Sequence, residues 1–312
     1  MRDFQQDLDS RKQQYLYRSR RTTSSPQAPV MQIDGREVIS FCSNDYLGLA
    51  NHPKVIKAFQ QASNEFGVGA GAAHLINGHS RYHHQLEVAL AAFVGTERAL
   101  LFSTGYMANL GVVQALMKRG DRIFADRLNH ASLIDGARLS DARLHRYPHQ
   151  NIAGLEKLLK SKPADQRLIM TDGVFSMDGD IAQLSELMRL ANTHDTWLLV
   201  DDAHGLGVLG ANGRGSLEAL DVPNQKNLIL MGTLGKAFGV AGAFVAGSES
   251  LIETLIQTAR TYIFTTAMPA ATAAAAMTSL KIIQSEPQRR ARLHDRVKYF
   301  KDHAAATGIA LM

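Results

Sequence analysis

Cysteine and long apolar runs are scarce in this chain of 312 residues. Its single cysteine, Cys42, has no partner for an intramolecular disulfide, which excludes a disulfide-stapled scaffold and favours a reducing compartment. The polar segment 1–7 lacks the apolar stretch that a signal peptide needs. The apolar run nearest to a membrane span, 268–277, is rich in alanine and too short to cross a bilayer. We therefore expect a globular protein of the cytoplasm that makes no contact with a membrane.

The composition argues against a disordered chain and against a nucleic-acid-binding protein. Hydrophobic residues make up 45% of the chain and charged residues 20%, as in globular proteins. The net charge is +5, but the basic residues are scattered apart from small clusters at 11–21 and 288–296. No zinc-finger or RNA-binding signature accompanies them. The basic residues are therefore interpreted as solvated faces, or as groups that recognise a phosphorylated small molecule.

Short apolar runs alternate with amphipathic stretches along most of the chain. Apolar runs of the kind found in strands buried on both faces occur at 99–102, 122–125, 168–171, 197–200, 228–231 and 243–246. Helical periodicity is present at 151–160 and 181–191, and later at 249–258, 269–284 and 287 to about 306. This alternation predicts an α/β fold, with a mostly parallel sheet that helices cover on both faces.

The two ends of the chain depart from this pattern. Residues 1–25 predict a polar helix that ends in a loop at 22–26, and a short extended segment follows at 37–41. Residues 307–310 have the character of a new strand, just before the chain stops. We therefore expect three parts: an N-terminal helix and extended arm over 1–45, a large domain over 46–285, and the start of an incomplete C-terminal small domain over 286–312.

Polar residues and glycines follow four of the predicted strands at the points where the strands end. In an open parallel sheet, ligands bind beyond the carboxyl ends of the strands, so these segments are expected to meet. The segments are Ser103-Thr104-Gly105-Tyr106, Asp172-Gly173-Val174-Phe175-Ser176, Asp201-Asp202-Ala203-His204-Gly205 and Gly232-Thr233-Leu234-Gly235-Lys236-Ala237. Together they predict one site that combines a helix N-terminus able to bind an anion, carboxylates, an imidazole and a lysine.

Lys236 is the sharpest candidate among them. Gly235 and Gly239 let a planar ligand come close to it, and apolar neighbours would lower the pKa of its amine enough for it to form a Schiff base. The alternative is a surface lysine in a glycine-rich turn. Asp201 ends a buried strand and needs a cationic partner, which a protonated pyridine nitrogen would supply.

Simpler structural roles stay open for the other candidates. Asp202 fits a turn or helix cap better than Asp201 does, and His204 is either a core histidine or a group that reaches the same ring. Segment 103–105 either caps a helix in the ordinary way or binds a phosphate there. His130 has a ring that can stack on a planar cofactor, although alone it is a weak signal.

Other motifs fail in their context. Segment 67–72 matches a dinucleotide-binding fingerprint but follows a helical stretch instead of a strand. Gly235-Lys236 lacks the first glycine and the Ser/Thr of a phosphate-binding P-loop, and Ser103 lacks the preceding glycine of a hydrolase elbow. We expect no metal site, because no metalloprotease spacing and no spaced cysteine or acidic ligand accompanies the clustered histidines His74, His79, His83 and His84.

Most of the chain, from about residue 18 to 268, resembles the α-oxoamine synthases, and five motifs carry this resemblance. These enzymes depend on pyridoxal 5′-phosphate (PLP) and have fold type I. The motifs lie at 43–48, 172–179, 201–205, 213–215 and 233–236. The resemblance implies a PLP cofactor and a fold type I transferase. It is strongest to the members that condense L-alanine with a pimeloyl thioester, of coenzyme A or a carrier protein, in biotin synthesis. A glycine-using relative and a catalytically silent PLP-binding scaffold are the alternatives.

The resemblance also implies a role for each matching residue. Lys236 would hold PLP as a Schiff base and take the Cα proton of alanine, Asp201 would pair with the pyridinium nitrogen, and His204 would bond the phenolic oxygen. His130 would stack on the ring and face the substrate. The remaining cofactor contacts would come from Gly105, Tyr106, Ser176 and Thr233, and from Thr265 or Thr266 of a neighbouring subunit in a homodimer. Candidates for substrate contact are Arg18, Asn44 and Asp172.

Two departures from the family pattern bear on activity. The glycine loop at 69–74 has alanine where relatives often have serine. We also expect the C-terminal small domain, which in the family supplies an arginine for the substrate carboxylate, to be largely absent. We expect cofactor binding to survive that loss and treat turnover as the open question.

Overall fold

The computed structural model describes residues 2–311, which divide into two units between Ser43 and Asn44. The N-terminal unit contains helix α1 (Phe4–Gln13) and an antiparallel hairpin of β1 (Val30–Ile33) and β2 (Arg36–Ile39). The prediction of a helix over 1–25 is wrong beyond Gln13, because Tyr15 adopts a left-handed φ of +56°, which ends the helix. Helix α1 buries no side chain.

The second unit, from Asn44 onward, is built on a seven-stranded sheet with the order β3-β9-β8-β7-β6-β4-β5. Its strands are β3 (Arg98–Phe102), β4 (Arg122–Asp126), β5 (Arg143–Tyr147), β6 (Arg167–Asp172), β7 (Trp197–Asp201), β8 (Leu228–Thr233) and β9 (Ala243–Gly247). The pairs β5–β4, β4–β6, β6–β7 and β7–β8 are parallel, whereas β9 runs antiparallel to both of its neighbours. The predicted α/β fold with a mostly parallel sheet is therefore confirmed.

Helices surround this sheet. They are α2 (Pro53–Phe66), α3 (Arg81–Val94), α4 (Gly105–Leu116), α5 (Ala131–Leu139), α6 (Ile152–Ser161), α7 (Leu184–Thr193), α8 (Ser216–Ala219), α9 (Glu249–Thr258), α10 (Arg260–Ile263), α11 (Ala270–Ser285) and α12 (Gln288–Ala306), with a short π-helical turn at His74–Gly78. Alternate residues of one strand enter two separate cores: Leu198 and Val200 pack in one, and Leu199 packs in the other. Successive side chains of a strand point to opposite faces, so both faces of the sheet are covered and the central strands are apolar throughout.

The sheet contains one strand, β5, that the sequence did not predict, and one predicted strand is missing from the described residues. Strand β5 has Arg, His and Arg among its five residues, and its position at the edge of the sheet leaves these side chains near solvent, so it carries no apolar run. No strand forms at the described residues 307–311, where a turn at Thr307 and Gly308 ends α12 and Gly308 has a φ of +76°. The assignment of 286–312 to a separate small domain stays a prediction, and Met1 and Met312 lie outside the described residues. None of the helices in the described part of the chain has both the length and the apolar character of a membrane span.

Candidate active site

A pocket of about 160 Å³ lies at the carboxyl ends of β6, β7 and β8. It brings together nine of the predicted site residues, namely Gly105, Tyr106, His130, Asp172, Ser176, Asp201, His204, Thr233 and Lys236. The apolar side chains of Val174, Ala203 and Met231 complete part of its wall. The carboxyl ends of the parallel strands lie at one edge of the sheet and bring these side chains together there, as the sequence predicted.

Lys236 lies in the turn between β8 and β9, and its Nζ is 2.6 Å from Nε2 of His204. Burial lowers the pKa of its amine, while the nearby carboxylates of Asp201 and Asp172 oppose that shift. The turn needs glycine at Gly239, where φ is +66° and an added Cβ would lie 2.3 Å from the backbone nitrogen of Ala50. Lys236 is half-buried and lines the pocket, so the alternative of a surface lysine in a glycine-rich turn does not apply.

Asp201 is buried at the end of β7 and has only neutral hydrogen-bond donors around it. Its Oδ2 accepts from Nδ2 of Asn109 at 2.8 Å, and its Oδ1 accepts from the backbone N–H of Ala203 at 3.1 Å. Burial raises the pKa of this carboxyl, and those two hydrogen bonds and Lys236 counter the rise. A cation in the pocket would stabilise the charged form of Asp201.

Asp172 ends the neighbouring strand, where it pairs in register with Asp201. It accepts the backbone N–H of His130 at 3.1 Å, which fixes the start of α5 against the pocket. Burial, with a smaller contribution from Asp201, raises the pKa of Asp172 to about 8. The ring of His130 is exposed in the pocket, and its Nδ1 lies 2.7 Å from Oγ of Ser132.

His204 is half-buried between Lys236 and Tyr46. Its Nδ1 is 2.7 Å from the Tyr46 hydroxyl, while its Nε2 faces Lys236. Burial first, then the positive charge of Lys236, lowers the pKa of His204 to about 4, so its imidazole is neutral near pH 7. His204 is thus held by polar groups of the pocket, and the alternative of a core histidine does not apply.

Asp202 differs from its neighbour Asp201 in what it contacts. Its carboxylate accepts the backbone N–H of Ser216 at 2.7 Å and the Ser216 hydroxyl at 2.8 Å, at the start of α8. An added Cβ on Gly215 would lie 1.9 Å from its Oδ2, which explains the glycine there. The structural role expected for Asp202 is the one observed.

The opposite end of the pocket offers backbone donors at the start of α4. Thr104 caps this helix by accepting from the backbone N–H of Met107 at 3.1 Å. The N–H groups of Gly105 and Tyr106 donate to no acceptor among the described residues. Such free N–H groups at a helix N-terminus favour an anion. Thr233 lies nearby, with its Oγ1 donating to the carbonyl of Gly242 at 3.2 Å.

Four predicted site residues do not line this pocket. Arg18 belongs to the N-terminal unit, where it is exposed. Asn44 is exposed and accepts a hydrogen bond from the Tyr46 hydroxyl at 3.2 Å, so it connects to His204 through Tyr46. Thr265 and Thr266 follow α10, where Thr266 forms a β-bridge with Ala73. The proposed contacts of these four residues stay predictions.

Sequence reasoning missed Asn109, Ser132 and Tyr46. Asn109 is fully buried in α4, and its Nδ2 bonds both Ser132 Oγ and Asp201 Oδ2 at 2.8 Å, which links Asp201 to His130. A polar residue four positions after the strand-end segment 103–105, in a largely apolar helix, was the available signal. Tyr46 lies in the motif 43–48, but nothing local indicated its contact with His204, which is 158 residues away in the chain.

The clustered histidines lie apart from the pocket, and two of them, His74 and His79, are joined by a hydrogen bond. His74 Nδ1 is 2.9 Å from His79 Nδ1, and these two rings and that of His83 are close enough together to hold a metal ion. Both nitrogens of His83 are engaged, however: Nδ1 accepts from the backbone N–H of Ser80, and Nε2 faces the carbonyl of Met268 at 2.8 Å. His83 therefore ties the start of α3 to the segment before α11.

The pocket fits PLP in three respects. A lysine amine with a lowered pKa can form a Schiff base with the aldehyde. The buried Asp201 carboxylate has no cationic hydrogen-bond partner in the described chain and suits a pyridinium nitrogen. The free N–H groups of Gly105 and Tyr106 suit a phosphate.

Comparison with known proteins agrees with this chemistry. Residues 36–312 match the family model for aminotransferase class I and II. An 8-amino-7-oxononanoate synthase of Thioalkalivibrio sulfidiphilus is 59% identical over 100% of this chain and 80% of its own length. A crystal structure of 8-amino-7-oxononanoate synthase from Francisella tularensis is 37% identical, with a TM-score of 0.76 over 87% of this chain and 77% of that one. A serine palmitoyltransferase from S. paucimobilis with a bound PLP–myriocin aldimine is 32% identical, with a TM-score of 0.90 over 98% of this chain and 80% of that one. The chain belongs to the class I and II aminotransferase family and, within it, to the 8-amino-7-oxononanoate synthases.

Proposed function

We propose that this protein is a PLP-dependent acyltransferase of biotin biosynthesis, which condenses L-alanine with a pimeloyl thioester. In this reaction a bond forms between Cα of alanine and the thioester carbonyl carbon, and the carbon–sulfur bond breaks. The alanine carboxylate leaves as CO2, and the products are 8-amino-7-oxononanoate and the free thiol carrier. The observation that carries the proposal is the meeting of Lys236, Asp201 and His204 in one pocket of a chain 59% identical to an 8-amino-7-oxononanoate synthase.

The residues that would hold PLP are those whose geometry fits it. Lys236 would bind its aldehyde, Asp201 its ring nitrogen, His204 its phenolic oxygen, and the backbone of Gly105 and Tyr106 its phosphate, with Ser176 and Thr233 beside them. His130 would cover one face of the ring. When bound, PLP supplies an electron sink that stabilises negative charge on the amino-acid carbon.

Lys236 is the group that moves the Cα proton of alanine. Burial lowers the pKa of its amine, so at neutral pH a larger fraction is the free base than for an exposed lysine. Asp201 stays useful only while it is ionised, and the N–H donors of Asn109 and Ala203 stabilise that charge. Asp172 holds the backbone of His130, which fixes one wall of the pocket and orients the substrate beside it.

A homodimer with shared active sites is part of this proposal. Leu75, Ile76 and Phe264 are exposed by 48%, 78% and 72%, and the bridge between Ala73 and Thr266 joins the two segments that carry them. Exposed apolar side chains grouped in this way mark an interaction surface. Burying this surface against a second copy would bring Thr265 and Thr266 to the phosphate of the neighbouring site.

The dimer is tested by the mass of the chain in solution. We expect light scattering to give twice the mass of one chain for the wild type, and a single-chain mass for a variant with both Ile76→Asp and Phe264→Asp. Val88→Asp is the matched control, because Val88 is similarly exposed, by 59%, on α3. A wild type that stays monomeric at micromolar concentration would contradict the dimer.

The proposed chemistry is tested by Lys236→Ala, with Lys226→Ala as control because Lys226 is exposed in the loop before β8. We expect Lys236→Ala to lose both the absorbance of lysine-bound PLP and all product formation, and Lys226→Ala to keep both. Wild-type turnover by Lys236→Ala would end the proposal.

The product assay should offer alanine and glycine, with acyl groups on coenzyme A and on a carrier protein, which identifies the amino acid and the carrier. A cytoplasmic location stays a prediction.

A further inference from the structure

The loop 174–180 carries Ser176, whose side chain lines the pocket. The loop is closed on itself: the backbone N–H of Phe175 donates to the carbonyl of Asp180 at 2.9 Å, and that of Gly179 donates to the carbonyl of Phe175 at 2.8 Å. The Ser176 hydroxyl forms no hydrogen bond to the described residues. Its position in the pocket therefore depends on how the loop as a whole is held.

His149, in the connection between β5 and α6, contacts both ends of this loop. Its Nε2 lies 2.8 Å from Oδ2 of Asp180, and its ring packs edge-on against the buried ring of Phe175, with centroids 4.5 Å apart. On the other side, its Nδ1 lies 2.9 Å from Oδ1 of Asp126, the last residue of β4. This contact of Asp126, His149 and Asp180, the His149 bridge, connects the loop to the edge of the sheet.

Two carboxylates on one imidazole ring require two N–H groups. Asp126 accepts on both oxygens, because Oδ1 accepts the backbone N–H of Leu128 at 2.9 Å and Oδ2 accepts that of Gln150 at 2.8 Å. Oδ2 of Asp180 accepts from the side-chain amide of Gln150 as well. A carboxylate oxygen has no hydrogen to donate, so each ring nitrogen of His149 must supply one, and an imidazole with both hydrogens is a cation.

The groups around His149 favour this cation. Burial lowers the pKa of His149, but the hydrogen bonds and negative charges of Asp126 and Asp180 outweigh burial and raise the pKa above its ordinary value of 6.5. In the described part of the chain, these two carboxylates are the charged groups that face the ring, and Phe175 provides a neutral contact. The side chain of His149 is 28% exposed, so water reaches it and its charge follows the pH of the solution.

We propose that His149 is a positioning residue that keeps Ser176 in the pocket. As an imidazolium between Asp126 and Asp180, it fixes the loop 174–180 to the end of β4. This inference rests on the proposed function of the pocket, in which Ser176 lies beside PLP. A neutral ring keeps one N–H and can donate to only one of the two carboxylates, so the His149 bridge is present below the pKa of His149 and is lost as pH rises through it.

The charge on His149 can be measured by NMR on the full chain. Long-range ¹H–¹⁵N spectra of protein with ¹⁵N-labelled histidine follow both ring nitrogens through a pH titration, and His149→Gln identifies the signal. We expect a pKa above 6.5 in the wild type and a lower one in Asp180→Asn, which removes one carboxylate. Asp178→Asn is the control, because Asp178 is an exposed acid of the same loop. A pKa at or below 6.5 in the wild type, or an equal pKa in Asp180→Asn, would overturn the inference.

The effect on the pocket is measured as affinity for PLP, by titrating cofactor-free protein and following absorbance. At about pH 6, where His149 is charged, His149→Gln should bind PLP roughly 3- to 10-fold more weakly than the wild type, because the hydrogen bond that Ser176 forms with PLP loses its geometry. Introducing His149→Gln into Ser176→Ala should cost little further affinity, since the hydroxyl that His149 positions is already gone. Equal losses in the two backgrounds, or no loss in either, would show that His149 does not act through Ser176.

A second variant and a matched control separate the His149 bridge from general disruption. Asp180→Asn weakens the same bridge without changing the ring, so it should reproduce the loss of PLP affinity. His145→Gln should not, because His145 lies on the edge strand β5 and stacks on Phe124. Wild-type affinity in Asp180→Asn, or an equal loss in His145→Gln, would count against the inference.

The pH dependence gives the last comparison. As pH rises through the pKa of His149, the wild type also loses the His149 bridge, so the ratio of its PLP affinity to that of His149→Gln should fall toward one. Taking this ratio cancels the titration of Lys236 and of the pocket carboxylates, and a ratio that does not change with pH would contradict the inference. Neither the NMR titration nor the binding assay uses turnover, so a failure of the proposed reaction in the Lys236→Ala test remains distinguishable from a failure here.

Discussion

Asn109 allows the electrostatics of the pocket to be tested at a single buried side chain. Its Nδ2 gives one of the two hydrogen bonds that stabilise the Asp201 carboxylate, at 2.8 Å. Asn109→Leu keeps the volume but removes the donor, which leaves Oδ2 of Asp201 buried without one. Burial already raises the pKa of Asp201, so this loss should raise it further and favour the neutral acid. A neutral Asp201 no longer pairs with a pyridinium nitrogen.

The size of the effect follows from the kind of bond that is lost. A hydrogen bond to a charged group contributes about 1.5–3 kcal/mol, so we expect the affinity for PLP to fall by roughly 10- to 150-fold. The assay is a titration of cofactor-free protein with PLP, followed by absorbance. The free energy of unfolding is measured in parallel with urea.

Asn224→Leu is the matched control for this variant. The Nδ2 of Asn224 donates to the carbonyls of Val94 and Gly95, at 2.9 and 2.8 Å, outside the pocket. It should therefore lose stability without losing PLP affinity. If Asn109→Leu binds PLP as tightly as the wild type, the role assigned to the charge on Asp201 is refuted.

Two further predictions concern the same pocket. The pKa of Asp172 in the folded protein, about 8, lies above its ordinary value, so the contribution of Asp172 to stability is present below about pH 4 and is lost as pH rises toward 8. In urea unfolding, Asp172→Asn should therefore gain stability relative to the wild type between pH 5 and 8, whereas Asp178→Asn, at an exposed site, should not. A stability difference between Asp172→Asn and the wild type that stays constant with pH would contradict this prediction. Gly239→Ala should lower the free energy of unfolding by about 2–4 kcal/mol, because φ at Gly239 is +66° and the added Cβ would meet the Ala50 backbone. The control is Gly235→Ala, whose added Cβ would meet nothing closer than 3.6 Å, so its stability should change little. Equal losses of stability in the two variants would show that the close approach at Gly239 is unimportant.

The site was predictable where short segments carry their own signal. Asp172, Asp201 and Thr233 each end an apolar run, and parallel strands place such ends on one edge of a sheet whatever the loops do. Lys236 could be singled out as a candidate site residue because glycines surround it in the sequence. The same local reasoning failed for β5, whose edge position tolerates the charged residues of 143–147, and for the N-terminal helix, which ends at Gln13.

Residues that act through a partner distant in the chain were not predictable in this way. Asn109 looked like one polar residue in an apolar helix, and only the packing of α4 on the sheet brings it to Asp201. Tyr46 belongs to a motif that supports the resemblance, but its bond to His204 exists only because the turn at 44–50 meets the lysine turn.

The amino-acid order alone was enough for the class of the fold, the family and the cofactor, and it singled out Lys236 as the candidate nucleophile, because apolar periodicity and short motifs are local properties of the chain. The folded arrangement decided which side chains surround those groups: which donors the buried Asp201 carboxyl has, which nitrogen of His204 faces the lysine, and which surface is left apolar. These properties depend on distances and on exclusion of water, and both arise only when segments far apart in the chain pack together.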